Sequence, residues 1–146
     1  MDNMDTYIEN MIRERIEYEK QAKKLFIEEG EKVFSLSKAN KWGCDNFEDM
    51  HSEDKEKQHN LKLVDAFGFI GLEYAKYLSP IVGSINTEVK YYVLYKNEVY
   101  EVERFHGSYI RIIFVPNLAD SFKNKLLKFE DILEYAKNME IKDIDS

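Results

Sequence analysis

The sequence predicts an α+β fold, with N-terminal helices, a three-stranded antiparallel β-meander and a C-terminal helix. Three observations predict it. Apolar residues recur at steps of three and four through the first eighty positions, alternate with period two between Val89 and Phe114, and return to the helical step after Phe129. At 146 residues and 44% hydrophobic, the chain is long enough to bury a core without disulfide or metal staples. Its ten Tyr, nine Phe and one Trp, with only two Pro, exclude disordered and linker-rich classes. No internal repeat or composition break divides it, so one domain over residues 1–146 is expected.

The first helix is read over Asp5–Glu29, where Ile8, Met11, Ile12, Ile16, Ala22, Leu25 and Phe26 form one stripe between charged positions. Gly30 is read as a stop or kink, followed by a short helical turn through Val33, Phe34 and Leu36 toward Trp42. Residues Gly43 to Gln58 form an expected exposed loop, because Asp45, Glu48, Asp49, Glu53, Asp54 and Glu56 crowd into twelve positions. Ser52 or Asp54 is placed to cap a second helix. Its stripe (Leu63, Val64, Phe67, Ile70, Gly71, Tyr74, Leu78) is expected at the centre of the core and to end at Pro80. Gly68 and Gly71 within it point to close approach of another element.

Three strands follow. Val89, Tyr91, Val93 and Tyr95 alternate with Lys90, Tyr92 and Leu94; Tyr100 and Val102 with Glu101 and Glu103; Ile110, Ile112 and Phe114 with Tyr109, Arg111 and Ile113. Short connections at Lys96–Glu98 and His106–Ser108 suit hairpins. After Pro116 a looser stretch through Leu118, Phe122 and Leu126–Leu127 leads to a last helix over Phe129–Met139, with Ile132, Leu133 and Ala136 inward.

A lone cysteine, Cys44, excludes an internal disulfide, and the acidic start and the lack of a long apolar run give no signal peptide and no membrane span. A cytoplasmic location is therefore expected. Lys, Ile, Asn and Tyr number 50 against 18 for Ala, Gly, Pro and Arg, a bias of AT-rich coding found in low-GC bacteria and their phages.

The chain carries no GxGxxG, GxxxxGK[ST], GxSxG, HExxH or CxxC. Cys44, Asp45, Asp49, His51, Asp54 and His59 supply metal-ligand chemistry, but their spacing matches neither a zinc finger nor an i, i+4 pair, and no cofactor or metal is expected. Cys44 with a histidine as nucleophile and base, and His106 with Glu101 or Glu103 as an acid–base group, need a cleft that nothing in the sequence fixes. The balance falls away from an enzyme.

Five tyrosines (Tyr91, Tyr92, Tyr95, Tyr100, Tyr109) lie on the strands with opposite parities, so either the terminal helices cover both faces of the sheet or one face shows tyrosine to solvent. A nucleic-acid stacking platform is disfavoured because the strands carry no excess of cations, although Lys123, Lys125 and Lys128 make a local cationic stretch after the sheet. Net charge is −7, of which −5 falls in the first sixty residues. An acidic region of this kind steers toward basic partners.

The expected function is that of a small acidic protein-binding inhibitor, of the phage counter-defence (anti-CRISPR) or toxin-immunity type. It would cover the basic surface of a nuclease or other nucleic-acid-handling protein through Asp45, Glu48, Asp49, Glu53, Asp54, Tyr92, Tyr95, Tyr100 and Tyr109. Direct nucleic-acid or membrane binding is not expected. The alternatives are a small-ligand binder or enzyme with a pocket between the sheet and the central helix, and a structural homo-oligomer in which the first helix pairs with a copy of itself.

Overall fold

The computed structural model describes residues 3–39, 42–43, 55–82, 90–105 and 109–143; within these, residues 3, 36–39, 42–43, 57, 79–82, 104–105 and 109–110 are described by backbone alone. In chain order the elements are α1 (Asn3–Ala39), β1 (Trp42–Gly43), α2 (Lys55–Val82), β2 (Lys90–Tyr95), β3 (Glu98–Phe105), β4 (Tyr109–Phe114), α3 (Asp120–Lys123), β5 (Leu127–Lys128) and α4 (Phe129–Asn138). Helix and strand are mixed as an α+β fold requires.

Helix α1 runs unbroken for 37 residues. The stop expected at Gly30 does not occur. A Cβ there would stand 2.9 Å from Cδ2 of Phe26, so the missing side chain makes room for that buried ring, while Phe129 lies at ordinary contact distance, 3.5 Å. Burying that ring outweighs the ~1 kcal/mol that glycine costs a helix. Helix α2 likewise continues through Pro80 to Val82. With two residues left to run, the proline removes one bond from the last turn instead of interrupting a helix interior.

The sheet has five strands in the order β1-β4-β3-β2-β5. The meander β2-β3-β4 is antiparallel as expected, with Tyr91 opposite Val102 opposite Ile112, and Val93 opposite Tyr100 opposite Phe114. Positive φ at both Lys96 (48°) and Asn97 (63°) makes the first hairpin a two-residue turn of the type that follows the strand twist. The expectation of three antiparallel strands is corrected at both edges: β1 adds antiparallel to β4, and β5 adds parallel to β2 through Val93–Leu127 and Leu94–Lys128. Two-residue strands carry no alternation for a sequence reading to detect.

All three long helices pack on one face of this sheet. Phe34 of α1 is the hub, with its ring centroid 4.4 Å from Tyr95, 4.7 Å from Tyr100, 5.0 Å from Phe67 and 4.6 Å from Phe129. The terminal helices therefore do not cover opposite faces. Val33, Phe67, Ile70, Val93, Ile112, Ile132 and Ala136 are fully buried in the same cluster. On the opposite face Lys90, Tyr92, Leu94, Glu101, Glu103, Arg111 and Ile113 are half-buried, and two ion pairs tie it together, Lys90–Glu101 at 3.2 Å and Arg111–Glu103 at 2.8 Å.

Candidate interaction surface

The helical layer has one end that its own packing leaves open. Tyr18 meets Asp65 and Phe69 while Glu29 meets His59, so α1 and α2 run antiparallel. Phe129 packs on Phe26 while the Met139 carbonyl accepts a 2.9 Å hydrogen bond from Lys23 Nζ and Asp143 pairs with Lys20, so α4 also runs against α1. The N-terminal half of α1 and the C-terminal ends of α2 and α4 thus share one end of the molecule.

Every residue from Met4 to Arg15 is exposed. Among them are Met4 (61%), Tyr7 (64%), Ile8 (47%), Met11 (52%) and Ile12 (41%). With Tyr18 and Tyr77 these make seven of the eight exposed large hydrophobics among the described residues; the eighth is Phe122. The N-terminal part of the apolar stripe expected along α1, Ile8, Met11 and Ile12, is thus exposed, whereas Ala22 and Phe26 of the same stripe are buried. The seam itself was legible, because these residues lie on the same helix face as Ala22 and Phe26, but spacing shows which face is apolar and not what covers it. Asp5, Glu9, Glu14 and Glu17 border or back the stripe, and Glu9 pairs with Arg13 at 3.6 Å.

Where the stripe enters the body, Tyr18 donates a hydrogen bond to Asp65 and stacks edge-on to Phe69 at 5.7 Å. A shallow cleft of about 190 Å³ opens beside this contact, lined by Tyr18, Ala22, Leu25, Lys62 and Asp65. On the α2–α4 side, Tyr77 stacks on Tyr135 at 5.6 Å and Tyr135 lies 5.3 Å from Tyr74. Burial raises the Tyr74 and Tyr135 hydroxyls, with Asp131 and Glu73 adding to the shift. Sequence reading missed this cluster; the signal was the i, i+3 spacing of Tyr74 and Tyr77.

The sequence-predicted site residues fare unequally. Tyr95 and Tyr100 are core residues, 7% and 2% exposed against Phe34, which removes them from any binding surface. Burial with Glu98 nearby pushes the Tyr100 hydroxyl up to about 12. Tyr92 is half-buried on the outer face of the sheet, its ring 6.3 Å from Phe122 of α3. Tyr109 begins β4 opposite Phe105, described by backbone alone. Asp45, Glu48, Asp49, Glu53 and Asp54, like Cys44, His51 and His106, lie outside the described residues. His59 holds Glu29 across the α1–α2 interface at 2.6 Å, and that bond lowers the Glu29 carboxyl.

Among the described residues, no group of three His, Cys, Asp or Glu side chains comes together to hold a metal, and no helix is long and apolar enough to cross a membrane. No known protein family, curated protein or solved structure matches the chain. Fold and surface together define an α+β protein, with helices layered on one face of a five-stranded sheet and an amphipathic helical arm at one end.

Proposed function

We propose that the protein acts by binding other proteins, as a small acidic cytoplasmic inhibitor of the phage counter-defence (anti-CRISPR) or toxin-immunity type that covers a basic surface of its partner. The observation that carries this reading is the gathering of exposed apolar side chains along one acid-bordered helical arm, since a contiguous apolar patch rimmed by charge is the surface signature of a protein interface. The net charge of −7 supports a partner of opposite sign, for which complementary potential raises association rate and specificity. An amphipathic helix offering residues at i, i+3, i+4 and i+7 is also a common way of filling a partner's groove.

Affinity capture from host lysate followed by a salt titration tests the proposal. The expected result is a bound protein with a basic surface whose affinity falls as salt rises and on neutralising Asp45, Glu48, Asp49, Glu53 and Asp54 together. Binding indifferent to both would sink it. The homo-oligomer reading is favoured by a separate observation, the continuation of one packing seam along α1 beyond the point where α2 covers it.

A further inference from the structure

Helices α2 and α4 run in the same direction, since Phe67 meets Phe129 and, further along both, Tyr74 and Tyr77 meet Tyr135. The three tyrosine centroids lie 5.3, 5.6 and 6.5 Å apart. Tyr77 is turned only 25° from Tyr74 and 28° from Tyr135, so the rings make a flat platform instead of walls set at right angles. Tyr74 and Tyr135 are half-buried against the core, and Tyr77, 59% exposed, is the open part.

Each helix adds a carboxylate. Glu73 precedes Tyr77 and Asp131 precedes Tyr135 by four residues, the spacing that puts both members of a pair on one helix face. Long side chains lean toward the N-terminus of their helix, so each ring lies over the turn that carries its carboxylate. The acids also act across the helices, Asp131 on Tyr74 and Glu73 on Tyr135, where they add to the upward shift of the hydroxyls.

An aromatic face beside carboxylates attracts a cation, and the described residues do not supply one. Lys90 lies over Tyr92 and Lys96 over Tyr95, whereas no described cation lies over Tyr74, Tyr77 or Tyr135. Glu73 holds Lys76 in an exposed pair at 3.6 Å, and Asp131 makes no ion pair among the described residues.

We infer that this platform receives the guanidinium of an arginine on the partner protein, laid flat on Tyr77 with its N–H donors turned to Asp131 and Glu73. This rests on the proposed function and names the contact that holds the partner's basic surface. The flat arrangement selects a planar cation, because an ammonium head is held best by rings standing around it. Carboxylates from two parallel helices suit the forked donors of a guanidinium. A protein that handles nucleic acid carries such side chains for phosphate. A second copy of this chain is the poorer source, since Arg13, Arg15 and Arg111, three of its four arginines, are held by Glu9, Glu19 and Glu103.

NMR of the full chain titrated with N-acetylarginine methylamide tests this, with the lysine counterpart and tetramethylammonium as comparisons. The ring signals of Tyr77 and Tyr135 are expected to move with a dissociation constant of about 1–30 mM, and the other two cations to bind about threefold or more weaker. Tyr77→Ala should weaken arginine binding by about tenfold or more with circular dichroism unchanged, Tyr77→Phe should keep it within about threefold, and Asp131→Asn should lose about threefold to tenfold. Against a captured partner, Tyr77→Ala and Asp131→Asn should each cost about tenfold in affinity.

Ring signals that stay still up to about 100 mM, equal binding of the three cations, or Tyr77→Ala binding arginine as wild type does would overturn the inference. The two readings fail separately. A captured basic protein whose affinity neither variant changes overturns the arginine site and upholds the proposed function. Selective arginine binding with no protein captured upholds the site and counts against the inhibitor.

Discussion

Tyr91 shows how a single residue decides local packing. Its ring fills the space over Gly71, where a Cβ would lie 1.8 Å from the phenol oxygen, and that buried oxygen has no hydrogen-bond partner among the described residues. Leaving a buried hydroxyl unpaired costs roughly 1–3 kcal/mol, so Tyr91→Phe is expected to leave stability unchanged or raise it by about 1 kcal/mol in urea unfolding. Gly71→Ala is expected to lose about 1–3 kcal/mol by overpacking, and less in the Tyr91→Phe background, where the first atom met is the ring carbon at 2.8 Å. Equal losses in the two backgrounds would contradict that placement. The sequence marked Gly71 as a point of close approach, but the approaching element was not legible, because tertiary packing chose it.

Buried tyrosines also set the alkaline limit. Tyr100 is held neutral up to about 12, and Tyr91 is raised further by complete burial. An acid whose pKa is raised on folding contributes stability that is full below its unfolded value near 10 and is lost as pH climbs through the folded value. Unfolding between about pH 10 and 12, with a step in phenolate absorbance coinciding with loss of circular dichroism, is therefore expected. Smooth titration of all ten tyrosines near pH 10 with the fold intact would contradict this.

At the scale of elements, the β2–β3 hairpin was legible because period-two alternation and a short Lys96–Glu98 connection agree; the register bears the hairpin out and tightens its turn to Lys96–Asn97, with Glu98 already paired to Tyr95. Asn97 sits in the left-handed region, so Asn97→Val should cost about 1–2 kcal/mol while Asn97→Gly costs little, as read by thermal melting. Helix α1 was legible in its apolar face but not in its extent or its burial. Gly30 reads locally as a breaker and is kept in the helix by the buried Phe26 ring, while Ile8 and Met11 read as part of the apolar stripe and stand in solvent. The contrast has a measurable consequence in dilute, monomeric protein: Ile70→Ala should cost about 2–5 kcal/mol, whereas Ile8→Ala should stay within about 0.5 kcal/mol. Edge strands β1 and β5 lay beyond sequence reading because pairs of residues acquire their partners only in the assembled sheet.

Over the whole molecule, helices on one face of the sheet leave two surfaces of different character. The outer sheet face is half-buried and laced by ion pairs, and of the tyrosines proposed for binding Tyr92 remains there while Tyr95 and Tyr100 belong to the core. The helical end is apolar, open and bordered by acid. Net charge and aromatic content led from the sequence to the proposal of a binding protein. The location of the surface was not foretold, because it depends on where α2 stops covering α1.

Hydrogen–deuterium exchange across the arm tests the proposed interface most directly. Amides of Met4 to Arg15 are expected to exchange fast in dilute protein and to gain protection as the protein is concentrated or its captured partner is added, while those of Ala22 to Phe34 stay equally slow throughout. Equal exchange from Met4 to Arg15 at every concentration, with and without that partner, would contradict an interface on the arm.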